Sequence, residues 1–527
     1  MCIKKFVMNL KLNIAAACVL AALSLFPSCT PKHGTTLCVN PLTSTDVPDN
    51  DVIRVGDTYY MVSTTMYFCP GCPIMKSKDL VHWEIVSYAY DCLNDDDIYN
   101  LTDGGRHAYG KGQWATCLRY VDGTYYAVFA SNDQHDTFVC RTKDIENGPW
   151  EVNRLGRQFH DLSLLFEDGH VYIVWGNGDI FITELEPDLS AVKAGAEDKL
   201  LISSHREGQN LRAEGSHIYH IGDYYYVLEI DWPRGGVRTE RAWRSTELFG
   251  EYESKIILQG PFDGRGDGVA QGAIFDTQYG DWYSMMFQDH GAVGRIPTLQ
   301  PVTWVDGWPI LGEEGVPVKE FMVNLTESGV EHVWASDEFD YADNSSMDLV
   351  WQWNHKPLDG CWSFTERPGW LRLTTGQLAT DIFDARNTLT QRTVTPGCRS
   401  EVLLDASGLK PGDHAGLCAF QSRFTSLEVT MAEDGTKELV GLSRDGEHLR
   451  IPMQGDLVYL RIDFDFTTDK ARSFYSFDGQ DWVDSGYELQ MRYTLDLFTG
   501  YRPALYNYAT LETGGVADFD YFHQELL

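Results

Sequence analysis

The chain has 527 residues, 43% of them hydrophobic and 23% charged, which supplies a large core and excludes disorder as the main state. Its 42 Lys and Arg against 77 Asp and Glu leave a formal charge of −35; that field repels phosphate backbones, so nucleic acid is excluded while a neutral polysaccharide or oligosaccharide stays open. At about 150 residues per domain the length predicts more than one domain.

Lys4, Lys5 and Lys11 make a positive start, and the apolar run from Ile14 to Phe26 is too short to span a bilayer comfortably. Ending in Leu25-Phe26-Pro27-Ser28-Cys29, residues 1–29 resemble a bacterial lipoprotein signal in which Cys29 is lipidated. The expected location is the cell envelope of a bacterium, or its periplasm. Simple secretion and a retained membrane anchor are the alternatives. No later apolar run approaches the roughly 20 residues of a spanning helix, so membrane contact is expected only through a lipid anchor.

Of twelve cysteines, Cys2 and Cys18 leave with the signal and Cys29 would carry lipid. The rest are scattered, so the fold must rest on its core. Cys69-Pro70-Gly71-Cys72 lacks a second ligand pair, and a disulfide or simple packing is expected there instead of a metal.

A Gly/Asp turn leading into an aromatic and aliphatic run recurs five times. The copies are Gly56-Asp57-Thr58-Tyr59-Tyr60-Met61-Val62, Asp122-Gly123-Thr124-Tyr125-Tyr126-Ala127-Val128, Asp168-Gly169-His170-Val171-Tyr172-Ile173-Val174, Gly222-Asp223-Tyr224-Tyr225-Tyr226-Val227-Leu228 and Gly280-Asp281-Trp282-Tyr283-Ser284-Met285-Met286. Spacings of about 45 to 65 residues, short strands and tight turns predict radially repeated four-stranded sheets. The expectation over residues 40–325 is a five-bladed β-propeller, with a β-sandwich as the alternative. Lys76 to Trp83, Arg141 to Ile145 and Arg244 to Phe249 read as outer hairpins of blades.

After about residue 325 the repeat stops. Leu460, Ile462, Phe464 and Phe466 alternate with Arg461, Asp463 and Asp465, a strand with one buried face. Further strands are predicted at Val350 to Asn354, Cys361 to Thr365, Trp370 to Leu373 and Ser473 to Phe477, so residues 335–527 should form a β-sandwich. The fold class is all-β. Trp351 and Trp353 are read as core residues in preference to sugar platforms.

Three acids precede a Gly/Asp-aromatic strand by about 8 to 12 residues, the offset expected of matched positions on the innermost strands of blades one, three and four: Asp49, Asp161 and Glu214. They should converge on one funnel. Burying three carboxylates together is costly, because like charges push at least one pKa up. Glycosidic cleavage justifies that cost, since it needs one protonated carboxyl and one ionised carboxylate.

The segments Pro48 to Tyr60, His160 to Gly169, Ala213 to Tyr219 and Gly291 to Trp304 resemble, in order, the signature blocks of glycoside hydrolase family 43. Residues 335–527 resemble the concanavalin-like sandwich attached to β-xylosidases of that family. The resemblance implies an inverting hydrolase with Asp49 as general base, Glu214 as general acid and Asp161 as the acid that tunes and orients Glu214, base and acid lying roughly 6.5 to 9.5 Å apart. It implies substrate contacts from Arg295, from Trp114 as an aromatic wall, and from Met66, which stands where relatives often have Phe. No organic cofactor is implied. Many members carry a histidine linked to an axial calcium, but Ala270 stands at that place, so a structural calcium stays open while no metal ligand is assigned.

Asn50 replaces the usual Pro after the base, and Asp51 adds a competing acid. His160 and His217 adjoin the acids; neighbours along a strand face opposite sides, so both are read as packing or supporting groups. Asp95-Asp96-Asp97 is read as a solvated connection between blades. The function expected is release of terminal β-xylose or α-L-arabinofuranose from plant polysaccharide fragments. A non-catalytic carbohydrate-binding propeller and a sugar phosphorylase are the other readings; for the latter, Arg295 and Arg54 are few cations to hold phosphate.

Overall fold

A computed structural model describes residues 34–527 apart from residues 103 and 205–207. The signal segment 1–29, with Cys29, lies outside the described residues.

Five antiparallel four-stranded sheets follow one another along the chain, each meandering in sequence order. The first holds Asp51–Val55, Thr58–Val62, Gly71–Ser77 and Glu84–Tyr90, and the second Gln113–Val121, Thr124–Ser131, Asp136–Thr142 and Glu151–Arg154. The third holds Ser163–Glu167, His170–Asn177, Asp179–Leu185 and Lys199–Ser203. Gln209–Ile221, Tyr224–Pro233, Thr239–Ser245 and Glu253–Gln259 make the fourth; Ala270–Asp276, Trp282–Asp289, Arg295–Val305 and Trp308–Leu311 make the fifth. The five first strands touch one another in a closed ring, which makes the set a five-bladed propeller.

Each turn-plus-aromatic repeat lies at the hairpin between the first and second strands of a blade. Asp122-Gly123 and Asp168-Gly169 have positive φ at both residues, the two-residue turn whose twist matches that of the flanking strands. Both faces of the second strands are apolar because each blade is sandwiched between two others. Tyr59 and Met61 pack with Phe275 and Met285 of the fifth blade, whereas Tyr60 and Val62 pack with Leu118 and Phe129 of the second. Thr36–Val39 pairs with Glu320–Val323, and Asn40 exchanges hydrogen bonds with the Leu299 backbone at 2.7 and 2.8 Å. These contacts tie the start of the ring to its end.

The second domain is a sandwich of an eight-stranded and a seven-stranded sheet. In the smaller sheet, Leu457–Asp465 buries Leu460, Ile462 and Phe464 and leaves Arg461, Asp463 and Asp465 partly exposed. The larger sheet takes its last strand from the propeller: Phe68–Cys69, in the first blade, pairs with Gln352–Asn354. Tyr67, Phe68, Tyr109, Val293 and Ile296 of the propeller share one apolar cluster with Trp351, Trp353, Phe383 and Phe420 of the sandwich, so the two domains share a core. Trp351 and Trp353 are buried in it. Cys69 and Cys72 are buried free thiols; of the two expectations for that motif, packing is what the structure shows.

Candidate active site

Asp49 immediately precedes the first inner strand region, Asp161 lies two residues before Ser163–Glu167, and Glu214 lies within Gln209–Ile221. Asp49 and Asp161 both occupy the left-handed backbone region, at φ 54° and 45°. Asp adopts it more readily than most residues, since its short polar side chain bonds locally. Glu214 sits between two register shifts of its strand. Trp114 lies within a shift between Gln113 and Thr116, and Gln271 within one between Ala270 and Gly272. A bulge re-aims the side chain it carries, and here three inner strands are bulged where they meet the ring's centre.

The acids form two hydrogen-bonded groups whose charges act on each other. Arg295 Nη1 donates to Asp49 Oδ1 at 2.7 Å, with both side chains 8% exposed. Asp161 Oδ2 accepts from the Gly215 backbone N–H at 3.2 Å, fixing the residue that follows Glu214. His160 Nε2 is 2.9 Å from Glu214 Oε2 and 3.8 Å from Asp161 Oδ2. Asn177 Nδ2 also donates to Glu214 Oε2. One donor or acceptor atom from each of His160, Asp161 and Glu214 lies within 4.8 Å of the others. These are the side chains whose donor set could hold a cation; the His160–Glu214 hydrogen bond already accounts for their closeness.

Burial raises the Asp49 pKa, while the Arg295 charge pulls it down and the Asp161 charge pushes it up again. Burial also raises Asp161, opposed by His160 and reinforced by Glu214. His160 is pushed up to about 9, first by the Asp161 charge and then, against burial, by its hydrogen bond to Glu214. Of the two roles expected of it, packing or support, His160 has the supporting one, but the premise that it faces away from the acids fails: it lies in a turn and not on a strand, so facing sides do not alternate there and the ring meets the carboxylates. His217 is buried, turned back on the Gly215 carbonyl at 2.9 Å and 3.8 Å from Asp51.

Asp51 is fully buried, accepting from the Leu118 N–H and from Arg119 Nη1, both at 2.8 Å. These partners on the second blade make it a brace between the first two blades. Arg54 is paired with Asp276 at 2.9 Å. Met66 is 1% exposed and packs in the core shared by the domains; its backbone exchanges two hydrogen bonds with Gln113, next to Trp114. Asp95 pairs with Lys356 at 2.6 Å, so the acidic connection between blades is also tied to the sandwich. Ala270 is fully buried and offers no donor atom where the resemblance leads one to expect a calcium-linked histidine.

The sandwich reaches into this site, which no sequence pattern marked. Its Phe498 ring is 5.5 Å from that of Trp114 and 4.7 Å from the Arg295 guanidinium carbon. Trp114 is 6.2 Å from His160. Tyr493, 6.1 Å from Phe498, brings a buried hydroxyl whose environment includes Arg295 and Asp49. The Trp114 Nε1–H, Arg295 Nε and Nη2, and Tyr493 hydroxyl have no protein partner among the described residues. Buried donors without partners are costly, and sugar hydroxyls are ligands that would satisfy them.

Residues 38–309 match the family described as Glycosyl hydrolases family 43, and residues 336–525 match the Beta xylosidase C-terminal Concanavalin A-like domain. A beta-xylosidase of Formosa agariphila is 30% identical over 92% of this chain and 89% of its own length. A non-reducing end alpha-L-arabinofuranosidase of Bacteroides ovatus is 29% identical over 63% and 64%. Among solved structures, a bifunctional GH43-CE protein of Bacteroides eggerthii superposes with a TM-score of 0.87 at 42% identity. That match covers 94% of this chain, which spans 64% of the longer Bacteroides eggerthii protein.

Proposed function

The chain belongs to glycosyl hydrolase family 43 and is a glycoside hydrolase, and from that premise we propose that it releases terminal pentoses, β-xylose or α-L-arabinofuranose, from plant polysaccharides or oligosaccharides with inversion. The observation that carries this reading is the meeting from three blades of Asp49, paired with Arg295, with Asp161 and Glu214, which are tied through Gly215 and His160, close enough for the Asp49 and Asp161 charges to act on each other. The names of two relatives, a beta-xylosidase and an alpha-L-arabinofuranosidase, support the pentose class.

Glu214 protonates the departing glycosidic oxygen while Asp49 takes a proton from the water that attacks the opposite face of the sugar. Arg295 opposes the upward push that burial exerts on the Asp49 pKa and presents its Nε and Nη2 donors to the sugar. Asp161 acts through the Gly215 N–H, orienting Glu214. Trp114 and Phe498 form apolar walls that exclude water other than the nucleophile. This reaction uses side-chain carboxyls and water. We also propose that the mature chain acts outside the cytoplasm on a lipid anchor at Cys29; the apolar run and its cysteine support this.

Aryl β-xyloside, aryl α-L-arabinofuranoside and short xylan and arabinan oligosaccharides, followed by proton NMR, test the reading. The first-formed sugar should carry the inverted anomeric configuration. Initial release of the retained anomer overturns the mechanism, and no release from any pentoside overturns the substrate class.

A further inference from the structure

Three segments that each carry one part of the site meet at a single buried side chain. Asp46 is 7% exposed and lies three residues before Asp49. Its Oδ1 accepts from the Arg295 backbone N–H at 2.8 Å, and its Oδ2 accepts from the Gly500 N–H at 2.9 Å. Its own carbonyl accepts from Arg392 Nε at 3.0 Å, and the next residue, Val47, donates to the Arg295 carbonyl at 2.9 Å. Gly500 stands two residues beyond Phe498.

The surroundings are built to this contact. Gly294 has φ 112°, and a Cβ there would collide with the Asp46 carboxylate; a Cβ on Gly500 would collide with the Val293 carbonyl. Both strands of contact therefore approach backbone to backbone, with the carboxylate filling the gap. These two N–H groups satisfy both oxygens of the buried carboxylate.

We propose that Asp46 is a positioning residue that sets the register of the sandwich loop on the propeller, so that Phe498 is seated against Trp114 and Arg295 only while Asp46 bridges Arg295 and Gly500. The sandwich then belongs to the catalytic unit through one carboxylate. The functional consequence rests on the pentosidase reading; the seating of the loop does not.

The test uses the full-length chain. In Asp46→Asn, one oxygen of the bridge becomes an amide donor facing an N–H. Hydrogen exchange at the Gly500 amide should then speed up at least tenfold, whatever the activity. Against an aryl pentoside, kcat/KM should fall about tenfold, carried by KM. In a Phe498→Ala background that penalty should shrink to less than twofold, because the loop no longer has a ring to seat. Circular dichroism and thermal melts confirm folding, and Asp46→Ala gives a second removal. Unchanged Gly500 exchange in Asp46→Asn overturns the proposal. Equal penalties with and without Phe498 overturn it too, since Asp46 would then act independently of the loop. Absence of all pentosidase activity in the wild type fails the functional reading while leaving the exchange result to decide the seating.

Discussion

The Arg295 guanidinium carbon lies 4.7 Å from the centre of the Phe498 ring, so the propeller arginine that holds Asp49 is itself covered by a side chain of the sandwich. Among the described residues, both remaining guanidinium nitrogens are buried without protein partners. A sugar bound there would be held between an arginine fixed by Asp49 and an aromatic wall supplied by the other domain.

Removing that wall should weaken binding more than chemistry. Cation–π and aromatic contacts in desolvated sites contribute about 0.5–2 kcal/mol. Phe498→Ala should therefore lower kcat/KM by roughly 2- to 30-fold, mainly through KM. Steady-state kinetics on a xylo- or arabino-oligosaccharide measure this. A loss confined to kcat would show that the ring acts on the transition state alone.

Arg295 opposes the upward push that burial exerts on the Asp49 pKa. Arg295→Met deletes the opposing charge, so the Asp49 pKa rises further and the acid limb of the kcat/KM–pH profile moves to higher pH. Leaving one member of a buried ion pair alone costs about 3–5 kcal/mol, so the melting temperature should fall as well. An acid limb that stays in place or moves down would contradict the assignment of Asp49 as the base.

Glu214→Gln keeps the hydrogen-bonding shape and removes the transferable proton. Loss of general acid catalysis costs about 10²–10⁴-fold, and the cost should depend on the leaving group. A dinitrophenyl glycoside, whose phenolate needs no proton, should be cleaved at a rate close to wild type. An oligosaccharide should hardly be cleaved. Equal losses on both substrates would move the acid role elsewhere.

His160 has its pKa raised from the model-peptide value of 6.5 to about 9 by Asp161 and Glu214. A raised folded-state pKa adds stability that is fully present below about pH 6.5 and is lost as pH rises through about 9. Melting temperature should therefore decline over that window in the wild type and decline less in His160→Gln. Parallel curves for the two proteins would show that the imidazole gains nothing from the carboxylates.

The five hairpins were legible in the sequence because a two-residue turn and a strand with two apolar faces demand local residue types: Asp-Gly or Gly-Asp with the glycine at positive φ, then aromatic and aliphatic residues in unbroken runs. Asp49, Asp161 and Glu214 stood out for the same reason, at one offset from those hairpins. Alternation in Leu457–Asp465 likewise announced a one-sided strand. Such signals live within ten or so residues, where backbone geometry and burial act on near neighbours.

What joined the two domains lay beyond that range. The pairing of Phe68–Cys69 with Gln352–Asn354, the bridge from Asp46 to Gly500 and the placement of Phe498 over Arg295 link residues hundreds of positions apart. His160 supports Glu214 from the same side as Asp161 because the rule that neighbours face opposite sides holds only on a strand, and both residues lie in the turn before Ser163–Glu167, with Asp161 at left-handed φ. Sequence alone thus determined the ring, the sandwich and the three acids, since each follows from local periodicity. Only packing in three dimensions decided that the sandwich completes the pocket, because a buried polar contact is selected by whichever distant group can satisfy it.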